Sequence, residues 1–134
     1  MAKMSGFSPI ITTASPQHTA YLKSLGATYV FDRHADLSVL PNEIAKITSD
    51  PIEIVYDAVS RPETQKAAYG LLAPGGKLVL VCPSVLGNEH QDDKQVVNTF
   101  GSPFVPANRD VGLGLYGNLT SYLENGLIKV SCNR

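Results

Sequence analysis

Short β-branched apolar runs alternate along this chain with polar, turn-rich stretches and with segments whose apolar residues recur at helical spacing. Pro9 to Thr13 is the first such run. It leads to Ser15, a good N-cap type, and to Pro16, which suits a first helical position because its missing N–H is no loss there. The pattern predicts a strand, a corner, a helix from Pro16 and a second strand closing at Asp32 and Arg33. Asp36 to Thr48 reads as a loop holding a short helix near Asn42 to Ile47, cut at its start by Pro41. Ile52 to Tyr56 is an apolar strand ending at Asp57. Ser60, Arg61, Pro62 and Glu63 match a capping box for a helix that runs to Leu72, and Pro74, Gly75 and Gly76 form a turn. Lys77 to Val81 reads as a buried strand, Gln91 to Lys94 as polar loop and Val96 to Phe100 as another strand. Arg109 to Asn125 is the final helix, with Val111, Leu115, Leu119, Tyr122 and Leu123 on one stripe and Gly126 at its C-cap. Such alternation of strand and helix predicts an α/β fold, a doubly wound parallel sheet.

The corner after the first strand carries the most chemistry. From Pro9 to Arg33 the sole acidic residue is Asp32. Backbone N–H groups at a helix start, with the positive end of the helix dipole, favour a phosphate or carboxylate. In dinucleotide folds that use NAD, an acidic side chain about 20 residues past the first glycine, at the end of the second strand, takes the ribose 2′-OH. Here that place is Thr12, Thr13, Ala14 and Ser15, which favours a 2′-phosphate and hence NADP(H).

The run SPQHTAYLKSLGATYVFDR, followed by IVYDAV, by LLAPGGKLVLV and by ENGLIK, resembles the cofactor domain of medium-chain dehydrogenases/reductases. The resemblance is strongest to zinc-independent NADPH-dependent enoyl and quinone reductases, notably the fungal trans-acting enoyl reductases associated with polyketide synthases. It covers nearly the whole chain in order and implies a Rossmann-like sheet. In that family the corner after the second strand holds the adenosine 2′-phosphate, which carries onto Ser15, Pro16, Gln17 and His18. A Tyr that ends the family's third strand lies against the same phosphate, and Arg33 stands at its place. His18 replaces the family's Asn. Arg can hold a phosphate bidentately and His can donate to it, so the binding role survives both changes. Asp57 and Ala58 end a central strand, where ligands gather in open α/β sheets. Val81, Cys82, Phe100 and Gly101 fall where family members pass the nicotinamide riboside; Val81 and Phe100 otherwise read as core. The opening MAKMSGF resembles the tail of the family's first helix, so one partial domain is expected, without the first strand, the glycine-rich loop and the catalytic domain. Losing a central strand leaves two apolar edges. Either the flanking strands close directly into a five-stranded sheet, or another segment or chain fills the slot, with homo-oligomers as one outcome.

Composition narrows the classes. With 43% hydrophobic and 17% charged residues, net charge −1 and no Trp, the chain lacks the basic face that nucleic acid demands. Its longest apolar runs fall far short of the roughly 20 residues of a membrane span, and MAKMSGFSPI lacks a signal peptide's long apolar region. Two cysteines, Cys82 in an apolar strand and Cys132 near the carboxyl end, point to no disulfide framework and suit a reducing cytosol. His18, His34 and His90 have no metal-ligand spacing with either cysteine. Gly112, Gly114 and Gly117 spell GxGxxG, but they follow the loop PANRD rather than a strand, so they read as faces of a packed helix. Asn118 to Thr120 is a glycosylation sequon that a cytosolic helix leaves unused. The sequence points to no catalytic residue, and no Ser, His and Asp set has a nucleophile-elbow context. Two other classes remain open. YDAV and LLAPGGKLVLV also suit an S-adenosylmethionine-dependent methyltransferase, against which Ser15 counts, and a truncated chain could serve as a non-catalytic interaction module.

Overall fold

The computed structural model describes residues 1–87 and 93–130, and the expectations for His90, Gln91, Asp92 and Cys132 lie outside those residues. Among the described residues five strands and four α-helices follow one another, alternating except where β5 succeeds β4: β1 Ile11–Ala14, α1 Thr19–Ser24, β2 Tyr29–Asp32, α2 Leu40–Ala45, β3 Ile54–Asp57, α3 Pro62–Leu71, β4 Lys77–Leu80, β5 Gln95–Asn98 and α4 Arg109–Glu124. All ladders are parallel, the α/β Rossmann-like architecture expected from the alternation. Among the described residues the ladders form two sheets, β1-β2 and β3-β4-β5. The chain also divides into two compact units, Asp36–Phe100 and Met1–Ala35 with the described residues from Gly101 onward.

Within Asp36–Phe100, β4 is the middle strand. Its Leu78 and Leu80 point to the same face and are fully buried with Ala68 and Leu72 of α3's side. Ile52, Val55, Tyr69, Leu86 and Val96 pack around them. Removing a leucine side chain from water contributes about 1.5–3 kcal/mol, so these two residues anchor the unit. The helix expected near Asn42 begins two residues earlier, at Leu40, and Pro41 lies within its first turn. Pro is tolerated there because that N–H has no intrahelical partner in any residue. Ahead of it, Asp36 caps the Leu37–Val39 turn by accepting from Ser38 N at 2.9 Å, and that hydrogen bond holds its carboxyl below the usual range.

In the other unit, β1 and β2 pair in the register Ile11↔Tyr29 to Ala14↔Asp32. The expected continuous helix from Pro16 is instead a three-residue 3-10 turn, Pro16–His18, followed by the two-turn α1. Helix α4 runs as expected but buries less of its stripe. Leu115, Leu119 and Tyr122 are half-buried, whereas Val111 is 73% exposed and Leu123 42%. Its end is a Schellman motif, in which Gly126 N donates to Leu123 O (3.0 Å) and Leu127 N to Tyr122 O (2.9 Å). Gly126 holds φ at +64°, a left-handed conformation that a Cβ disfavours. Gly126→Ala is expected to destabilise the chain by about 1 kcal/mol, read as a lower urea midpoint at unchanged slope. An unchanged midpoint would show that the cap contributes nothing.

Candidate functional site

Parallel strands carry their loops to one end, and the β1-β2 register decides which loops meet. Because Ala14 lies opposite Asp32, the corner Ser15–His18 stands beside Arg33 at the carboxyl ends of the two strands, and Arg33 N donates to Ala14 O at 3.0 Å. Ser15 adopts the extended N-cap conformation but its hydroxyl makes no capping bond. Its carbonyl accepts from His18 N at 2.9 Å, so that N–H is spent on the 3-10 turn rather than turned outward, and a turn this short has little dipole. What the corner offers an anion is therefore side chains. Gln17 and His18 face each other with 3.3 Å between Gln17 Nε2 and His18 Nε2. Gln17, Pro16 and Arg33 are exposed, and Ser15 and His18 are half-buried.

A second cluster forms at the carboxyl ends of β3 and β4. Asp57 is buried, and its Oδ1 accepts from Val59 N (2.9 Å) and Ser60 N (2.8 Å) while its Oδ2 accepts from the Thr64 hydroxyl (2.7 Å). Both oxygens are thus committed to its own loop. Ser60 was expected to cap α3. Instead it takes φ +53° and turns inward, its hydroxyl donating to Asp57 O (2.8 Å) and accepting from Val81 N (3.2 Å) and Cys82 N (3.4 Å). The cap position falls one residue later, at Arg61, whose N–H donates to Thr64 Oγ1 at 3.0 Å. Gln65, fully buried, spends both amide hydrogens on Ser60 O (3.0 Å) and Pro83 O (3.1 Å) and accepts from Val85 N (2.9 Å). This network pins the segment after β4 to the start of α3.

The structure thus brings Ser15, Pro16, Gln17, His18 and Arg33 together in one unit, and sets Asp57, Ala58, Val81 and Cys82 at neighbouring strand ends in the other. Phe100 and Gly101 follow β5 and are exposed. Val81 (39% exposed) and Phe100 (70%) are exposed, which removes the alternative reading of both as core, and Cys82, expected within an apolar strand, lies beyond the end of β4, exposed and free, because the strand stops at Leu80 where Ser60 caps the next N–H groups. Sequence reasoning missed Ser60 as a hub, Thr64 and Gln65. Gln65, Ala68 and Leu72 recur at helical spacing, so a lone polar residue on an apolar stripe was the available signal.

The glycines of GLGLYG lie inside α4. A Cβ on Gly112 would come within 2.7 Å of Pro103 Cβ, whereas Gly114 and Gly117 face open space. Gly112 therefore serves a close helix contact, not a phosphate. A concavity of about 510 Å³ opens beside it, lined by Pro103, Phe104, Arg109, Gly112, Leu113 and Tyr116. It sits on α4 rather than at strand ends and holds one charged group, so the candidate site is elsewhere.

Residues 1–102 match the family described as zinc-binding dehydrogenase. The chain belongs to that family. It is 38% identical over 84 residues to Trans-enoyl reductase FSL5 of Gibberella zeae, covering 62% of this chain and 23% of that protein. It is 30% identical to a zinc-type alcohol dehydrogenase-like protein of Schizosaccharomyces pombe over 89% of this chain and 38% of that one. Among solved structures, the CurK enoyl reductase superposes with a TM-score of 0.75 at 22% identity, over 99% of this chain and 41% of that chain. The nucleotide-binding subdomain of the enoylreductase domain of PpsC from Mycobacterium tuberculosis gives 0.68 at 21% identity, over 97% of this chain and 75% of that one. These likenesses establish the fold, and the chain spans well under half the length of its curated relatives. They lend the methyltransferase reading no support. Among the described residues no three His, Cys, Asp or Glu side chains gather into a set that could hold a metal ion, so the zinc of the family's name has no matching ligand set there. No helix of the described residues is long and apolar enough to cross a membrane.

Proposed function

We propose that this chain is the NADP(H)-binding portion of an enoyl or quinone reductase-like oxidoreductase of the cytosol, inactive by itself. The observation that carries the reading is the β1-β2 register, which sets Ser15, Gln17 and His18 beside Arg33 with no acid at the end of β1. Arg33 supplies a planar fork and Ser15, Gln17 and His18 supply shorter donors, a set suited to an adenosine 2′-phosphate and ill suited to a bare 2′-hydroxyl. Ala58, Val81, Cys82, Phe100 and Gly101 would contribute main chain and apolar surface towards the nicotinamide riboside. Asp57 would act through the loop it anchors, since its carboxylate is already satisfied. A bound nicotinamide supplies the hydride, and these residues bind and orient it. The names of the relatives, trans-enoyl reductases among them, support the reaction class.

Titration should show NADPH binding more tightly than NADH, with a dissociation constant on the order of 0.1–1 mM or weaker. Replacing Ser15 and Arg33 together by Ala should remove the preference, and NADH binding as tightly as NADPH to the wild-type chain would overturn the assignment of the corner.

The chain alone should not oxidise NADPH when offered enones or quinones, because nothing among the described residues closes over an acceptor, excludes water and places the reacting carbon. Enone-dependent, stoichiometric NADPH oxidation by the pure chain would refute this.

A further inference from the structure

We infer that His34 is a positioning residue for the phosphate-binding Arg33, an inference that rests on the 2′-phosphate reading of the corner. Residues Asp32 to Ala35 form a tight turn at the end of β2, closed by Ala35 N donating to Asp32 O at 3.1 Å. The Asp32 side chain braces it from within, its Oδ1 accepting from His34 N at 2.9 Å, an Asx-turn that fixes the backbone carrying the imidazole. The imidazole in turn accepts from the guanidinium, Arg33 Nε donating to His34 Nε2 at 3.2 Å. Arg33 N is held by Ala14 O at 3.0 Å, so the arginine is fixed at its backbone by β1 and at its Nε by His34.

This arrangement has a chemical consequence. With Nε engaged, the guanidinium can meet a phosphate only through its terminal pair of Nη groups, which make no hydrogen bond to the described residues. Its charge also has no ion-pair partner among the described residues. Asp32 is the nearest carboxylate in sequence, yet it is turned to His34 N and forms no ion pair with Arg33, the ion pair among the described residues being Lys46–Glu43. A free arginine loses much rotamer freedom when it grips a ligand, and a side chain held beforehand loses less. The ring nitrogen that accepts from Nε thus selects an end-on fork and shortens the list of arginine conformers before the ligand arrives. The effect belongs to the monoester phosphate and not to the rest of the dinucleotide.

The test uses the full chain, with 2′,5′-ADP and 5′-AMP as probes in calorimetric titration. His34→Ala should weaken 2′,5′-ADP about fivefold to tenfold and leave 5′-AMP unchanged. His34→Gln, which keeps an acceptor oxygen, should restore affinity to within about twofold of wild type. His34 is exposed, so circular dichroism and the thermal midpoint should match wild type for both variants. A ligand-free readout stands beside these: the Arg33 Nε–H resonance should be protected from exchange in wild type and His34→Gln and lost in His34→Ala. Unaltered 2′,5′-ADP binding by His34→Ala, or equal weakening of both probes, would overturn the role of His34 while leaving the corner intact. A wild-type chain that does not distinguish 2′,5′-ADP from 5′-AMP would instead overturn the corner and this inference with it.

Discussion

Leu78→Ala should destabilise the chain by about 2–5 kcal/mol, seen as a large fall in the urea midpoint. Leu78 is fully buried in the middle strand, with Leu80 two residues on and Ala68 and Leu72 across the layer. Its loss removes the transfer free energy of three carbons and leaves a cavity that β3 and β5, bound on either side of β4, cannot close without breaking their ladders. Whole domains have only about 5–15 kcal/mol in hand, so the variant should be partly unfolded at 37 °C. Val111→Ala is the matched comparison. Val111 sits on the apolar stripe of α4 but is 73% exposed, and its truncation should cost less than about 0.5 kcal/mol. Equal effects at the two positions would mean that the core is not where this structure puts it.

Gln65→Leu should cost on the order of 2–4 kcal/mol even though it exchanges a polar side chain for an apolar one of similar size. The substitution leaves the carbonyls of Ser60 and Pro83 and the N–H of Val85 without partners, and each buried group so orphaned costs about 1–3 kcal/mol, less where water can reach it. Pro83 and Val85 are exposed enough for partial rescue, which sets the estimate below the full sum. The same change should loosen the segment Val81–Leu86, raising amide exchange at Val85 before the sheet is affected. A variant within 0.5 kcal/mol of wild type, with Val85 still protected, would show that the buried amide does not hold that segment.

Alternation of β-branched runs with helical stripes determined the class of fold, because a period of two or of 3.6 is written in the order of residues and survives any packing. Strand and helix bounds followed to within two residues at Ile11–Ala14, Ile54–Asp57, Lys77–Leu80 and Arg109–Glu124. The family too was legible, in SPQHTAYLKSLGATYVFDR and the runs that follow it in order. What chain order could not supply was partnership across space. The sequence pattern puts Asp57 at the end of a central strand, free to face a ligand; in the structure it ends β3, an outer strand of the β3-β4-β5 sheet, and its carboxylate turns onto Ser60 and Thr64. Ser60 read as a cap, and became the hub for Val81 and Cys82 because a left-handed backbone swung its hydroxyl inward. The stripe of α4 promised burial that Val111 does not have, since periodicity says which residues share a face and not whether anything covers it. The grouping of Ser15 to His18 with Arg33 and His34 likewise depends on one register, Ala14 opposite Asp32. A ladder selects that register by the sum of its hydrogen bonds and side-chain faces, a property of two strands together that neither strand's sequence contains.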